Sequence, residues 1–202
     1  SSQFWGSGDR DSLKTVAAIA LRFTAAISAV FLAVSVLWPE LLLRIYTDDL
    51  AVVAAGKTYM RLIGATFLFA GMSSTCTYLL RSTGHVRIPL ISSIVSFFLN
   101  LFFNWVFIFG VLGFPRLEIV GAAVGTVIAR SFEFCMIFGY FVLKDEHFRF
   151  RMRHFFLRGG ALLRQYVRFS LPVIISDTFL GVGLSLGSVI IGHISAPFVA
   201  AN

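Results

Sequence analysis

The chain has 202 residues, of which 57% are hydrophobic and only 13% charged, and a formal net charge of +7. So few charges cannot cover the apolar surface that a water-soluble domain of this length would present. Composition therefore excludes an ordinary soluble fold, and the mean hydropathy of +0.85 points to a bilayer as the solvent.

A helix that crosses a bilayer needs about 20 mostly apolar residues. Five stretches qualify, at 16–38, 60–80, 88–112, 119–143 and 168–194. The expected fold is an all-α polytopic membrane protein with five transmembrane helices. Before the first stretch comes the polar "SSQFWGSGDRDSLK", which opens on Ser1 and reads as part of something longer. "YTDDL" offers Thr47 or Asp48 as the N-cap of a short helix feeding the second span. "RSTGHVRIP" predicts a tight turn at Gly84, with Pro89 in the first turn of the third span, where its missing N–H costs little. The third span is the cleanest, because nothing between Arg87 and Arg116 is charged. "GVLGFPRLE" is a short turn punctuated by Gly and Pro. In the fourth span Arg130 and Glu133 stand three apart and pair on one face. The fifth carries a single acid, Asp177. Cys76 and Cys135 lie in apolar runs and read as reduced thiols.

Successive spans alternate direction, so their flanks fall on two sides. One side collects Arg10, Lys14, Arg81, Arg87 and the run "KDEHFRFRMRHFFLRGGALLRQYVR", residues 144–168. The other has Arg44, Lys57, Arg61 and Arg116. Eleven basic residues against four set the first side as cytoplasmic, with loops 1–15, 81–87 and 144–168 facing inward. The basic surplus is thus a topology signal rather than a nucleic-acid footprint, and the long run suits anionic lipid headgroups.

Counting by fours along the third span gives Ser92, Ser96, Asn100 and Asn104, which share one slowly drifting helical face. Phe97, Phe98, Phe102 and Phe103 occupy its flanks and opposite side. A polar stripe turned to lipid would leave amides without partners, so it must face protein or a wet cavity. Similar faces occur on other spans, at Ser73, Ser74 and Thr77, at Gly121, Gly125 and Thr126, and at Ser176, Asp177, Gly181 and Ser188. Interhelical glue explains most Ser and Gly positions. The two amides offer more donors and acceptors than a simple clasp needs.

"YLLRSTGHVRIPLISSIVSFFLNLFFNWVFIFGVLGFPRLEIVGAAVGTVIAR", residues 78–130, resembles the multidrug and toxic compound extrusion (MATE) transporters. The shared features are an Arg–small–x–Gly turn into "RIP", Asn followed four later by Asp or Asn, "FG", "FP" and "GAA–x–x–T". "SQFWGSGDR" looks like the turn after the family's second helix, and "LPVIISDTFLGVGLSLGSVIIGHISA" like the first helix of a second six-helix repeat. The resemblance implies helices three to seven of a two-lobe, twelve-helix transporter. Residues 1–143 would belong to the N-terminal lobe, 144–168 to a cytoplasmic inter-lobe loop and 169–202 to the first helix of the C-terminal lobe.

The resemblance also implies a cation- or substrate-binding set at Asn100, Asn104 and Thr126, completed by an acid on the family's first helix. Asn104 departs from the family's usual acid, so the lobe loses a titratable group, and proton coupling is favoured over sodium. Another branch of the family places its coupling acid on the seventh helix, eight residues after a proline. That position is Leu180 here, whereas Asp177 follows Pro172 by five. Nine residues from Arg168 put Asp177 about 14 Å into the layer, where an acid is a functional candidate.

The implied activity is cation-coupled export of organic, cationic drugs or metabolites by alternating access. Such a protein is expected to be no enzyme, to need no cofactor, to sit as a monomer in the inner (plasma) membrane, and to meet small-molecule substrates and lipids. A lipid-linked oligosaccharide flippase of the same superfamily is the alternative, but the interior base Arg130 has a carboxylate neighbour. A membrane-embedded transferase would need clustered acids or a His–acid pair at depth. Asp48–Asp49 stand in a loop, and His85, His147, His154 and His193 do not cluster.

Overall fold

The computed structural model describes residues 2–144, 150, 154–155 and 160–194. A single turn, α1 (Ser2–Gly6), leads through Gly8 into the first long helix, α2 (Arg10–Leu37). Asp9 caps α2, its carboxylate accepting from the Ser12 N–H at 3.0 Å. Hydrogen bonds from the Ser12 hydroxyl and, second, its N–H hold the Asp9 carboxyl below the usual carboxylate range. Pro39 opens the short α3 (Pro39–Arg44).

The next helix, α4 (Leu50–Ser82), corrects two expectations. Its cap is Asp49, which accepts from the Ala51 N–H at 2.8 Å, while Thr47 Oγ1 accepts from the Asp49 N–H at 3.2 Å. No break separates a feeding helix from the span, because one helix runs through both. Lys57 and Arg61 interrupt apolarity there without interrupting backbone hydrogen bonding. Lys57 pairs with Glu40 of α3 and so ties that helix to α4. The Lys57 ammonium beside Glu40 holds its carboxyl below its usual range.

α5 (Arg87–Phe109) ends where Gly110 enters the left-handed region at φ 69°. A Cβ there would stand 2.8 Å from the Arg116 nitrogen, so the turn requires glycine. The Leu117 N–H donates to the Phe107 carbonyl at 2.9 Å and closes the hairpin into α6 (Glu118–Leu143). The last helix, α7 (Gly160–Ile194), begins eight residues before the expected span. Arg164 and Arg168 marked that segment as loop, yet both are exposed and leave Leu162, Tyr166 and Ser170 on the half-buried side. Most of 144–159, the side chain of Ser188 and residues 195–202 lie outside the described residues.

All five long helices are long and apolar enough to cross a membrane. Among the described residues the chain is helical without strands, a multi-pass α-helical membrane protein. α5 packs on α6, α6 on α4, and α4 on α2, with α3 against α4. α7 touches α2, where Tyr166 and Phe23 bring their rings to 5.8 Å. The tightest core gathers Leu13, Ala17 and Leu21 of α2, Cys76 and Leu80 of α4, and Ile137 and Phe141 of α6. Phe150 folds back onto Phe141 at 5.3 Å. This core clamps the Arg81 end of the bundle and leaves the polar faces of α5 and α6 higher up to line open space.

Candidate functional site

The stripe on α5 turns inward as its period requires. Ser92 is fully buried and Ser96 nearly so, whereas Phe97 and Phe98 are exposed by 64% and 61%. Ser96 Oγ donates to the Ala129 carbonyl at 3.0 Å, a clasp between helices. Farther along, Asn104 Nδ2 donates to Asn100 Oδ1 at 3.1 Å, and Asn100 Nδ2 donates to Thr126 Oγ1 at 3.2 Å. Thr126 completes the relay by donating to the Ala122 carbonyl at 2.8 Å. Three of the four expected site residues are therefore one hydrogen-bonded chain.

Two glycines on α6 make this approach possible. A Cβ at Gly121 would lie 2.6 Å from the Phe107 carbonyl oxygen, and one at Gly125 would collide with Asn104 Oδ1. That Oδ1 is buried and accepts no hydrogen bond. It packs against Gly125 of α6, and Asn104 is not among the residues that line the cleft beside Asn100 and Thr126. Neutral amide and hydroxyl oxygens form the cluster, so it is a dipolar rather than a charged site.

Asn100 and Thr126 line a cleft of about 360 Å³ with Ser93, Ser96, Phe97, Ala129, Arg130 and Glu133. Arg130 Nη1 donates to Glu133 Oε2 at 2.7 Å, as the three-residue spacing predicts. The structure adds that Ser93 Oγ donates to Glu133 Oε1 at 3.3 Å. Glu133 is thus held from both α5 and α6 and is 8% exposed. The spacing foretold the pair but not its place in the cleft. The signal was present: Ser93, Ser96 and Asn100 follow an i, i+3, i+7 face, and Thr126, Arg130 and Glu133 an i, i+4, i+7 face.

Asp177 is the exception. It lies on an exposed stretch of α7 and lines neither this cleft nor its smaller neighbour between α4, α5 and α6. The structure does not bring it to the amide cluster. No group of three or more His, Cys, Asp or Glu suited to a metal ion occurs among the described residues.

Apolar spanning helices around a polar cleft define a multi-pass α-helical membrane protein. The MatE family model matches residues 1–106, over half of the chain, and the chain belongs to that family. It is similar to the probable multidrug resistance protein NorM of Thermotoga maritima, at 29% identity over 147 residues, covering 72% of this chain and 31% of that protein. The probable multidrug resistance protein YoeA of Bacillus subtilis is 26% identical over 189 residues, covering 94% of this chain and 39% of that protein. A NorM of Halalkalibacterium halodurans is 35% identical over 137 residues, covering 65% and 29%. The chain thus spans less than two fifths of the length of these relatives. No solved structure gives a significant match. As a family member it is a multi-pass protein of the inner membrane.

Proposed function

We propose that the chain is part of a secondary active transporter that exports organic cations by alternating access, driven by a coupling cation. The observation that carries this reading is the relay Asn104–Asn100–Thr126, whose buried Asn104 Oδ1 accepts no hydrogen bond. The names of the relatives, probable multidrug resistance proteins, support a drug-sized substrate. In transporters built from repeats, substrate and coupling-ion sites lie near the bilayer midplane, and the lobes rock around them.

A proton is the favoured coupling ion. An amide at 104 in place of a carboxylate removes a full charge, which weakens the hold on sodium more than it weakens a proton relay through a single acid. The cluster then orients that acid and supplies its hydrogen bonds. Asp177 is a second titratable group on this reading, one that acts apart from the amide cluster.

The test is uptake of a fluorescent cationic dye into proteoliposomes of the full-length protein under an imposed pH or sodium gradient. Export under the pH gradient, lost in Asn100→Leu with membrane insertion intact, is the expected outcome. A sodium gradient that drives export while a pH gradient does not would overturn the choice of ion. Unchanged export by Asn100→Leu would reduce the relay to glue.

A further inference from the structure

The smaller cleft, of about 180 Å³, lies where α4, α5 and α6 meet, next to the amide cluster's cleft. Ser73, Thr77, Arg81, Ser93 and Arg130 line it, together with Glu133. Ser73 is only 3% exposed, yet its hydroxyl has no hydrogen-bond partner. Buried hydroxyls are nearly always paired, and this unpartnered one belongs to a residue in the wall of a polar cleft.

The charges around that cleft have a definite sign. Arg130 is anchored through one N–H to Glu133, which fixes the guanidinium while 49% of its side chain stays open. Arg81, in the last turn of α4, supplies a second guanidinium. One carboxylate faces two cations, and both of its oxygens already accept, from Arg130 and Ser93. The surplus is positive by one. An inorganic cation would meet repulsion here, whereas a tetrahedral oxyanion would find the remaining N–H donors of two guanidiniums and a hydroxyl without a partner.

We propose that this cleft binds a phosphate group, held by Arg81, Arg130 and Ser73. Arg81 stands at a helix end on the strongly basic flank of the chain, where phospholipid headgroups lie, and basic pockets between spanning helices on that side bind such headgroups. A small soluble phosphate shares the chemistry. The site shares Ser93, Arg130 and Glu133 with the amide cluster's cleft, but the proposal names no cargo and no coupling ion.

The experiment uses the full chain in two arms. One measures phosphatidylglycerol retained per protein by native mass spectrometry after extraction from vesicles of phosphatidylglycerol and phosphatidylcholine. The other measures inorganic phosphate binding in detergent by phosphorus-31 line broadening. Ser73→Ala is expected to weaken retention about tenfold, the loss of one hydrogen bond to a charged group, and Arg81→Gln, which also removes a charge, by at least as much. Arg87→Gln, at the start of α5 and outside the cleft, is expected to retain lipid as the wild type does. The same losses in the phosphate arm alone would assign the site to a soluble phosphate. If Arg81→Gln does not fold, Ser73→Ala, which removes one oxygen, decides. Equal retention and equal phosphate binding in wild type and Ser73→Ala would overturn the proposal. So would an Arg87→Gln loss as large as that of Arg81→Gln, because the attraction would then be a general basic field.

Discussion

The side chain of Asn104 donates to that of Asn100 one turn earlier, at 3.1 Å, and so turns two separate amides into a single oriented dipole chain ending at Thr126. Breaking the middle link should cost more than breaking either end, because Asn100 both accepts and donates. Asn100→Leu is expected to reduce gradient-driven dye export to the level of empty liposomes, and Asn104→Ala only partly. Expression in the membrane, followed by fluorescence size-exclusion, checks that both variants insert. Equal export by the two variants would contradict the relay.

Gly125 sits where any Cβ meets the Asn104 side chain, and its backbone neighbour is only 3.1 Å away. Gly125→Ala should push α5 from α6 and destabilise the protein by about 1–3 kcal/mol, the usual range for overpacking. Gly139→Ala is its control. Nothing lies within 4 Å of a Cβ there, so that variant should be neutral or slightly stabilised. Thermal unfolding in detergent measures both, and a Gly125→Ala midpoint equal to the wild type would contradict the close approach.

The polar spans were legible in the sequence because membrane helices obey one strong rule: amides and hydroxyls avoid lipid. That rule placed Ser92, Ser96, Asn100 and Asn104 on the inner face, and the structure buries or half-buries all four. Arg130 and Glu133 were readable as a pair from spacing alone. What escaped was anything that depends on the facing helix. Ser93 belongs to Glu133 only because α5 crosses α6 at that level. Gly125 looked like generic small-residue packing, and only the neighbouring backbone shows that it fits against Asn104. Helix limits failed at α4 and α7 for a related reason. Apolarity tracks where lipid is, whereas a helix continues wherever its backbone bonds are met, as at Lys57 and Arg164.

Topology remains open to a direct check. With the 144–168 run cytoplasmic, a cysteine at position 153 is expected to react with an impermeant maleimide only after the cells are opened. One at position 48 is expected to react in intact cells. Labelling of position 153 from outside would invert the orientation read from the basic residues.

The Glu40–Lys57 pair gives a pH dependence with a defined sign. The folded-state carboxyl of Glu40 lies below its ordinary value of 4.5, so its contribution is complete above that pH and is lost as pH falls through the lower folded value. Hydrogen exchange of α3 amides should therefore quicken, relative to α5, as the pH drops below 4.5, and Lys57→Met should show the quicker exchange already at neutral pH. Indifference of α3 to both changes would mean that the pair does not hold it.

All of the amide relay is contained within one helical hairpin. Asn100, Asn104 and Thr126 come from α5 and α6, and the turn between them is closed by Gly110 and the Leu117–Phe107 bond. Contacts so close in sequence form early, because little chain entropy must be given up to bring them together. A ribosome that has released α6 has thus already delivered every residue of the relay, while α7 is still being made. The hydrogen-bonded amide cluster would exist, prewired, before α7 inserts, and α7 would be added beside it.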